Sequence, residues 1–548
     1  MPLTTDPEIL PSEPELAVTE NASARWERFV FSLCGVCVLG VVARELAAHA
    51  MAIYRHVGLP FQVDYEEGNI LNALVRITHG LTPYPDPHAI PNILNPYGPV
   101  AYYLLAAPVK LFGVSFLWPR LMIAGCVAAI SVFIALTIAR QTGSKLSGII
   151  FGAMYATLPL VETWSAVLRV DFLALAFATA GVWVFCRGLA ADGTGETATF
   201  RWSMANDARR ANAGPGNPPS TNFSVGPSVF SAANSSLLVS ALLFVAALFV
   251  KYTYVAAPAA CVVYLLGRRE WKRAEAFVAM AAAMSAVLML ASIAATRGNI
   301  ITDLFRTHAD PFSLDVYLTR MTGVISMCRV LAVLAAAGIV NELLQHKLSV
   351  PALWLVLASG TAVTAGKLGS NWNHFLEWPA ALCLCAGLGW AMIGRTRPAA
   401  LGLVMATIMT VLLSLFVLRD REVLYDPYAT VPQCAQAYQF VARHPGDHVL
   451  AENVGALVLA GKTVWMSNPF VYGQLVMRGG WKDAGLERMV RDREFDLIVA
   501  QWNYPGIPAF WSEGGERFSA GVVRAIVENY RLVQTYQCTD ARYMFERK

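Results

Sequence analysis

Charge is scarce in this 548-residue chain: Asp, Glu, Lys and Arg make up 15% of it, against 56% hydrophobic residues and a mean hydropathy of +0.47. An ordinary soluble protein carries about a quarter charged residues, so that class is excluded, and so are disordered and fibrous chains. The formal net charge of +4 is small for the length and spread along it, which gives no reason to expect a nucleic-acid partner. Cysteine is also sparse, and none of the ten stands in a zinc-binding spacing. Eight lie in or beside apolar segments (Cys34, Cys37, Cys126, Cys186, Cys261, Cys328, Cys383 and Cys385). Cys434 and Cys538 lie in the polar tail, where they would either pair as a disulfide if the tail is exported or stay buried thiols. Cys34 and Cys37 have the CxxC spacing but fall inside an apolar run, which argues against a redox role. No clear internal repeat is present.

What the chain has instead is long uncharged runs. Segments such as 276–295 and 399–418 are each able to cross a hydrocarbon core of about 30 Å as a helix. The pattern predicts about eleven spans, near 29–54, 119–139, 146–163, 171–187, 237–250, 254–267, 274–296, 321–344, 350–366, 375–394 and 399–418. With a cytoplasmic N-terminus, the even connections hold Arg140, Lys145, Arg187, Arg201, Arg209, Arg210, Arg268, Arg269, Lys272, Arg273, Lys347, Arg395 and Arg397, as the positive-inside rule requires. Residues 1–28 have no basic n-region or cleavage site and read as a disordered cytoplasmic tail. Residues 190–236, rich in Gly, Asn, Pro and Ser, read as a flexible cytoplasmic insert within a membrane domain spanning 29–418. Residues 419–548 have soluble composition and alternate strand with helix: strands at 448–452, 463–466 and 495–501, helices ending near Gly461 and over 484–492, then a hairpin from 531–538 and 542–546. That pattern predicts a small extracytoplasmic α/β domain.

Function is expected where polar residues gather outside the spans. The outer loop 54–118 is too long for a connector. It holds Asp64-Tyr65-Glu66-Glu67-Gly68, then an amphipathic helical pattern to His79. Next come Pro83-Tyr84-Pro85-Asp86-Pro87, Asn95-Pro96-Tyr97-Gly98-Pro99 and an apolar run to Phe112 that is short for a span and suits the interface. Arg169-Val170-Asp171 opens a later span, and Lys367 to Glu377 forms a third polar motif on the same side. Arg306, His308, Asp310 and Asp315 belong to a separate outer loop whose spacing demands no role.

These features together resemble the GT-C superfamily of polyprenyl-phosphate-dependent membrane glycosyltransferases, which includes protein O-mannosyltransferases and lipid A aminoarabinose transferases. The resemblance rests on an acidic residue soon after the first span, the turn Gly80-Leu81-Thr82-Pro83-Tyr84, the run YGPVAYYLLAAPVKLFG with a following Arg120, the Arg169/Asp171 pair and the Lys367–Glu377 motif, over roughly 29–420. It implies a GT-C-like helical fold at a prokaryotic plasma membrane. It also implies a polyprenyl-phosphate-linked sugar as donor and a lipid, cell-wall glycan or protein as acceptor, with membrane lipids around it. Where the lipid A transferases carry an acidic-basic pair before the proline, this chain has Asn95-Pro96-Tyr97-Gly98, so their acceptor and any metal site there do not carry over.

Sugar transfer needs a carboxylate to deprotonate the acceptor hydroxyl and cations for the departing phosphate. The resemblance places the base at Asp64; as an Asp before a helix it also suits an N-cap. Glu66, Glu67 and Asp171 are the further acidic candidates. Arg169, Lys251, Lys367 and Arg320 are the candidates for the donor phosphate, with Arg120 also on the outer side. Lys251 stands out because it interrupts two short apolar segments, where a charge is costly unless used. Tyr97, His374 and Glu377 complete the candidates. Asp64 and Asp171 would hold a divalent cation, Mg²⁺ or Mn²⁺, if one is used, since the superfamily has metal-dependent and metal-independent members. A transporter or flippase would put its charges at mid-span in related halves, and a scaffold with a soluble sensor tail would leave the Asp64 loop unexplained.

Overall fold

The protein is described here by a computed structural model covering residues 13–191, 199–201, 232–308, 311–367, 369–395, 399–418, 431–477, 481, 485–506, 517–538 and 541–548. Most of the insert 190–236, and Asp310, lie outside these residues. The first helix runs Glu13–Val57, so the described part of the expected disordered tail is helical. Its only proline, Pro14, stands in the first turn, where the missing N–H costs nothing.

Among the described residues, five helices are long and apolar enough to cross a membrane: Phe29–Val57, Leu117–Thr142, Asp171–Leu189, Trp271–Ala295 and Trp372–Ile393. A sixth arises if Leu314–Met327 and Arg329–Leu344, bent by 86° at Cys328, count as one span. The segments expected at 237–250, 254–267, 350–366 and 399–418 are shorter apolar helices, Ser235–Val250, Ala256–Gly267, Val350–Gly366 and Leu401–Val417. The expected span 146–163 is two helices, Lys145–Ala156 and Pro159–Trp164. Proline disfavours helical geometry in the residue before it, and the break falls at Thr157 and Leu158.

The first outer loop folds into two helices, Tyr65–Thr78 and Pro99–Phe112. The first is held from below by an ion pair sealed from water: Glu67 and Arg120 are both fully buried. Arg120 donates from Nε to Glu67 Oε1 at 2.8 Å and from Nη2 to Oε2 at 2.7 Å. Its remaining N–H groups go to the carbonyls of Leu59 and Phe61, both at 2.8 Å. Glu67 also accepts the backbone N–H of Val63 at 2.6 Å and of Leu168 at 2.7 Å. One side chain thus ties the helix start to the Leu117–Thr142 span and to the turn before Asp171.

The tail contains a four-stranded sheet in the order Val449–Ala451, Leu497–Ala500, Ala541–Arg547, Tyr530–Gln537, with the first pair parallel and the others antiparallel. Side chains alternate between its faces. Val449, Ala451, Leu497, Val499 and Met544 join the apolar core continuous with the membrane helices, while Leu450, Ile498, Ala500 and Phe545 build a second core. Residues 463–466, expected as a strand of this sheet, pair with the outer loop instead: Asn92 N–H donates to Trp465 O at 2.8 Å and Ser467 N–H to Asn92 O at 3.0 Å. Gln62 adds a second tie, with its backbone N–H on the Tyr438 hydroxyl at 3.0 Å and its Oε1 accepting from Gly455 N at 2.7 Å. Cys434 and Cys538 are both buried thiols in the shared core cluster.

Removing one partner of a buried ion pair leaves a charge with no compensation, a loss of roughly 3–5 kcal/mol. Arg120→Leu is therefore expected to lower the thermal unfolding midpoint of the detergent-purified protein sharply, and Arg120→Lys to rescue it only in part because the two-pronged geometry is lost. An unchanged midpoint in Arg120→Leu would show that the pair does not hold the loop.

Candidate functional site

The three polar motifs of the sequence meet in one cleft roofed by the tail. Its lining includes Glu66, Tyr97, Arg169, Lys251, Lys367 and His374, together with Asn373, Phe470 and Val471. Asp64 caps the Tyr65–Thr78 helix in a capping box, accepting the Glu66 N–H at 3.1 Å while Glu67 reaches back toward its backbone. The same carboxylate is gripped at both oxygens by Arg169, with Nε 2.7 Å from Oδ1 and Nη2 3.1 Å from Oδ2. Cap and site residue are thus one side chain, 15% exposed. Arg169 Nη1 donates to the Tyr97 hydroxyl at 3.0 Å, which links the Asn95–Gly98 turn to the pair.

Burial works against the Arg169 charge, but Asp64, with Tyr97 and Glu66 adding to it, raises the guanidinium pKa well above its ordinary value. Burial also pushes the Tyr97 phenol up, so its hydroxyl stays protonated. The turn that carries Tyr97 is held by the Asn95 N–H on Asp303 Oδ1 at 2.6 Å and by the Gly98 N–H on Val250 O at 3.1 Å. Only glycine fits at 98, because a Cβ there would lie 2.0 Å from the Phe249 carbonyl oxygen.

Lys251 sits where the Ala232–Val250 helix ends, and its Nζ lies 2.7 Å from Asp171 Oδ1. Asn373 Nδ2 donates to Asp171 Oδ2 at 3.0 Å. The second sequence motif is therefore joined to the third through a buried carboxylate. His374 Nδ1 lies 3.2 Å from the Thr364 hydroxyl, and Lys367 backbone-pairs with Phe312 at the cleft edge. Glu66 lines the cleft and accepts from Asn69 Nδ2 at 3.3 Å and from Asn468 Nδ2, in the tail, at 3.2 Å.

Other candidates lie elsewhere. Glu67 and Arg120 are consumed by their mutual pair beneath the loop. Arg320 donates to the Ala365 carbonyl at 2.6 Å and does not line the cleft. Glu377 is buried and accepts from Trp354 Nε1 at 2.8 Å, which ties two membrane helices together. Asp64 and Asp171 do not form a metal-binding set: each faces a cationic side chain, and among the described residues no group of three or more His, Cys, Asp or Glu is placed to hold a metal ion. Asn373, Asn468 and Phe470 were not singled out by the sequence. Ser467-Asn468-Pro469 carries a helix-start signal, but nothing local reveals that it reaches residues about four hundred positions earlier.

The overall architecture is found in solved structures. It matches the crystal structure of ArnT, a lipid A aminoarabinose transferase, from Cupriavidus metallidurans bound to undecaprenyl phosphate, with a TM-score of 0.55 and 10% identity over 92% of this chain and 98% of that one. The apo structure of the same protein matches with a TM-score of 0.57 and 11% identity over the same shares. No family model and no curated protein sequence matches the chain.

Asp171→Asn removes the counter-charge of a buried ammonium and is expected to cost roughly 3 kcal/mol of stability, with Lys251→Met in the same chain restoring most of it. Thermal unfolding of the two single variants and the double variant measures this coupling. Additive losses in the double variant would mean that the two residues do not depend on one another.

Proposed function

We propose that this protein transfers a glycosyl group from a polyprenyl-phosphate donor to a hydroxyl of a lipid, cell-wall glycan or protein, at the outer face of a prokaryotic plasma membrane. The observation that carries this reading is the cleft lined by Arg169, Lys251 and Lys367, whose Arg169 holds the Asp64 carboxylate. Lys251, Lys367 and Arg169 supply the positive field that a phosphate leaving group requires. Asp64 is the general base. In the structure both of its oxygens are held by Arg169. An arriving phosphate competes for the Arg169 guanidinium, which loosens that grip as the acceptor hydroxyl approaches. Transfer in one step with one base inverts the configuration at the anomeric carbon. The fold of ArnT, whose structure holds undecaprenyl phosphate, supports the choice of donor class.

The test is native mass spectrometry of protein purified in nanodiscs, followed by turnover assays with synthetic undecaprenyl-phosphate sugars. Asp64→Asn should fold and retain donor while transfer falls by at least about a hundredfold, the scale of a lost general base. Lys367→Ala should weaken donor binding instead. Normal turnover by Asp64→Asn would remove the base assignment, and absence of any donor binding by the wild type would remove the function.

A further inference from the structure

The tail contributes more than a cover. Phe470 and Val471 line the cleft directly opposite polar residues of the membrane domain. The position of Phe470 is fixed from both sides. Its backbone N–H donates to the Tyr65 hydroxyl at 3.1 Å, and its ring lies over Gly369, where an added Cβ would stand 2.5 Å from Phe470 Cε1. Gly369 has a φ of +76°, so glycine is required there for its backbone as well. Asn468, fully buried, accepts from the Tyr65 hydroxyl at 3.3 Å and donates to Glu66 at 3.2 Å. An aromatic ring, a carboxylate, Ser370 and Asn371 therefore line the same cleft.

We propose that Phe470 and Glu66 form the subsite for the sugar ring of the donor, a pyranose. The inference rests on the donor reading above. The Phe470 ring touches the same short loop that begins at Lys367, so a group stacked on it is a direct neighbour of a phosphate held by that lysine. In a polyprenyl-phosphate sugar, the group attached to the phosphate is the glycosyl ring. A pyranose presents a C–H face to an aromatic ring, whose negative quadrupole favours such contact, and its hydroxyls meet the acceptors and donors around it. Glu66 already receives two amide N–H groups and keeps lone pairs for hydroxyls.

The experiment measures dissociation constants of the full-length protein in nanodiscs for undecaprenyl phosphate alone and for the same carrier bearing a mannosyl, glucosyl or 4-amino-4-deoxyarabinosyl group. The wild type should bind a hexosyl carrier more tightly than the bare one. Phe470→Ala should weaken that hexosyl binding on the order of tenfold while leaving the bare carrier within about twofold. Phe470→Tyr, which keeps the ring, should behave as wild type and guards against a folding defect in the alanine variant. The proposal is overturned if Phe470→Ala weakens both ligands alike or if no glycosyl carrier exceeds the bare one. A wild type that binds the bare carrier but gains nothing from any sugar defeats the subsite and leaves the donor reading standing. A wild type that binds no carrier defeats both.

Discussion

Everything at the mouth of the cleft depends on one ion pair that never meets solvent. Glu67 and Arg120 satisfy each other and four backbone groups from two separate stretches of chain. Such a pair does little for net stability compared with apolar packing, since both charges must be stripped of water, but it tolerates no alternative arrangement. Because a helix turns about 100° per residue, anchoring Glu67 inward turns Glu66 to a different face. Asp64, one turn earlier at the cap, is left at the helix mouth where Arg169 meets it. The orientation of two candidate site carboxylates follows from the burial of a third.

The cleft above this anchor balances its charges locally. Asp64 faces Arg169 and Asp171 faces Lys251, so each carboxylate removed from water has a cation within 3 Å. The guanidinium and ammonium groups line the cleft, while the neutral amide of Asn373 holds Asp171 and that of Asn468 holds Glu66. A preorganised field of this kind needs little reorganisation when an anion enters, which is the physical advantage of building it from buried pairs rather than from mobile surface lysines. The tail completes the enclosure through backbone bonds to Asn92 and side-chain bonds to Tyr65 and Glu66.

Much of this was legible residue by residue. Asp64 read both as a helix cap and as a candidate base; the structure shows the cap and pairs the same carboxylate with Arg169, since a carboxylate has lone pairs enough for a backbone N–H and a guanidinium together. Lys251 was conspicuous because an isolated charge between apolar segments must find a partner, and it finds Asp171. Glu67 and Arg120 were legible only as an acid and a base on the outer side. Their pairing spans 53 positions and leaves no local signal, so two residues that hold the scaffold resembled site residues. The segment 463–466 has strand composition, but its backbone partner is the outer loop rather than the sheet, because local propensity names the extended conformation without naming what it pairs with.

Hydropathy and charge placement determined by themselves that the chain is built of membrane helices, with a long outer loop and a polar tail, because burial in lipid constrains composition segment by segment. Helix caps and breaks were likewise local, set by single residues such as Asp64 and Pro159. Which acid faces the cleft, which is sealed beneath it, and that Asn468 and Phe470 of the tail close over Glu66 were decided only by tertiary structure. Those choices depend on ion pairs and hydrogen bonds between residues tens to hundreds of positions apart, and their energy exists only once the segments that carry them are packed together.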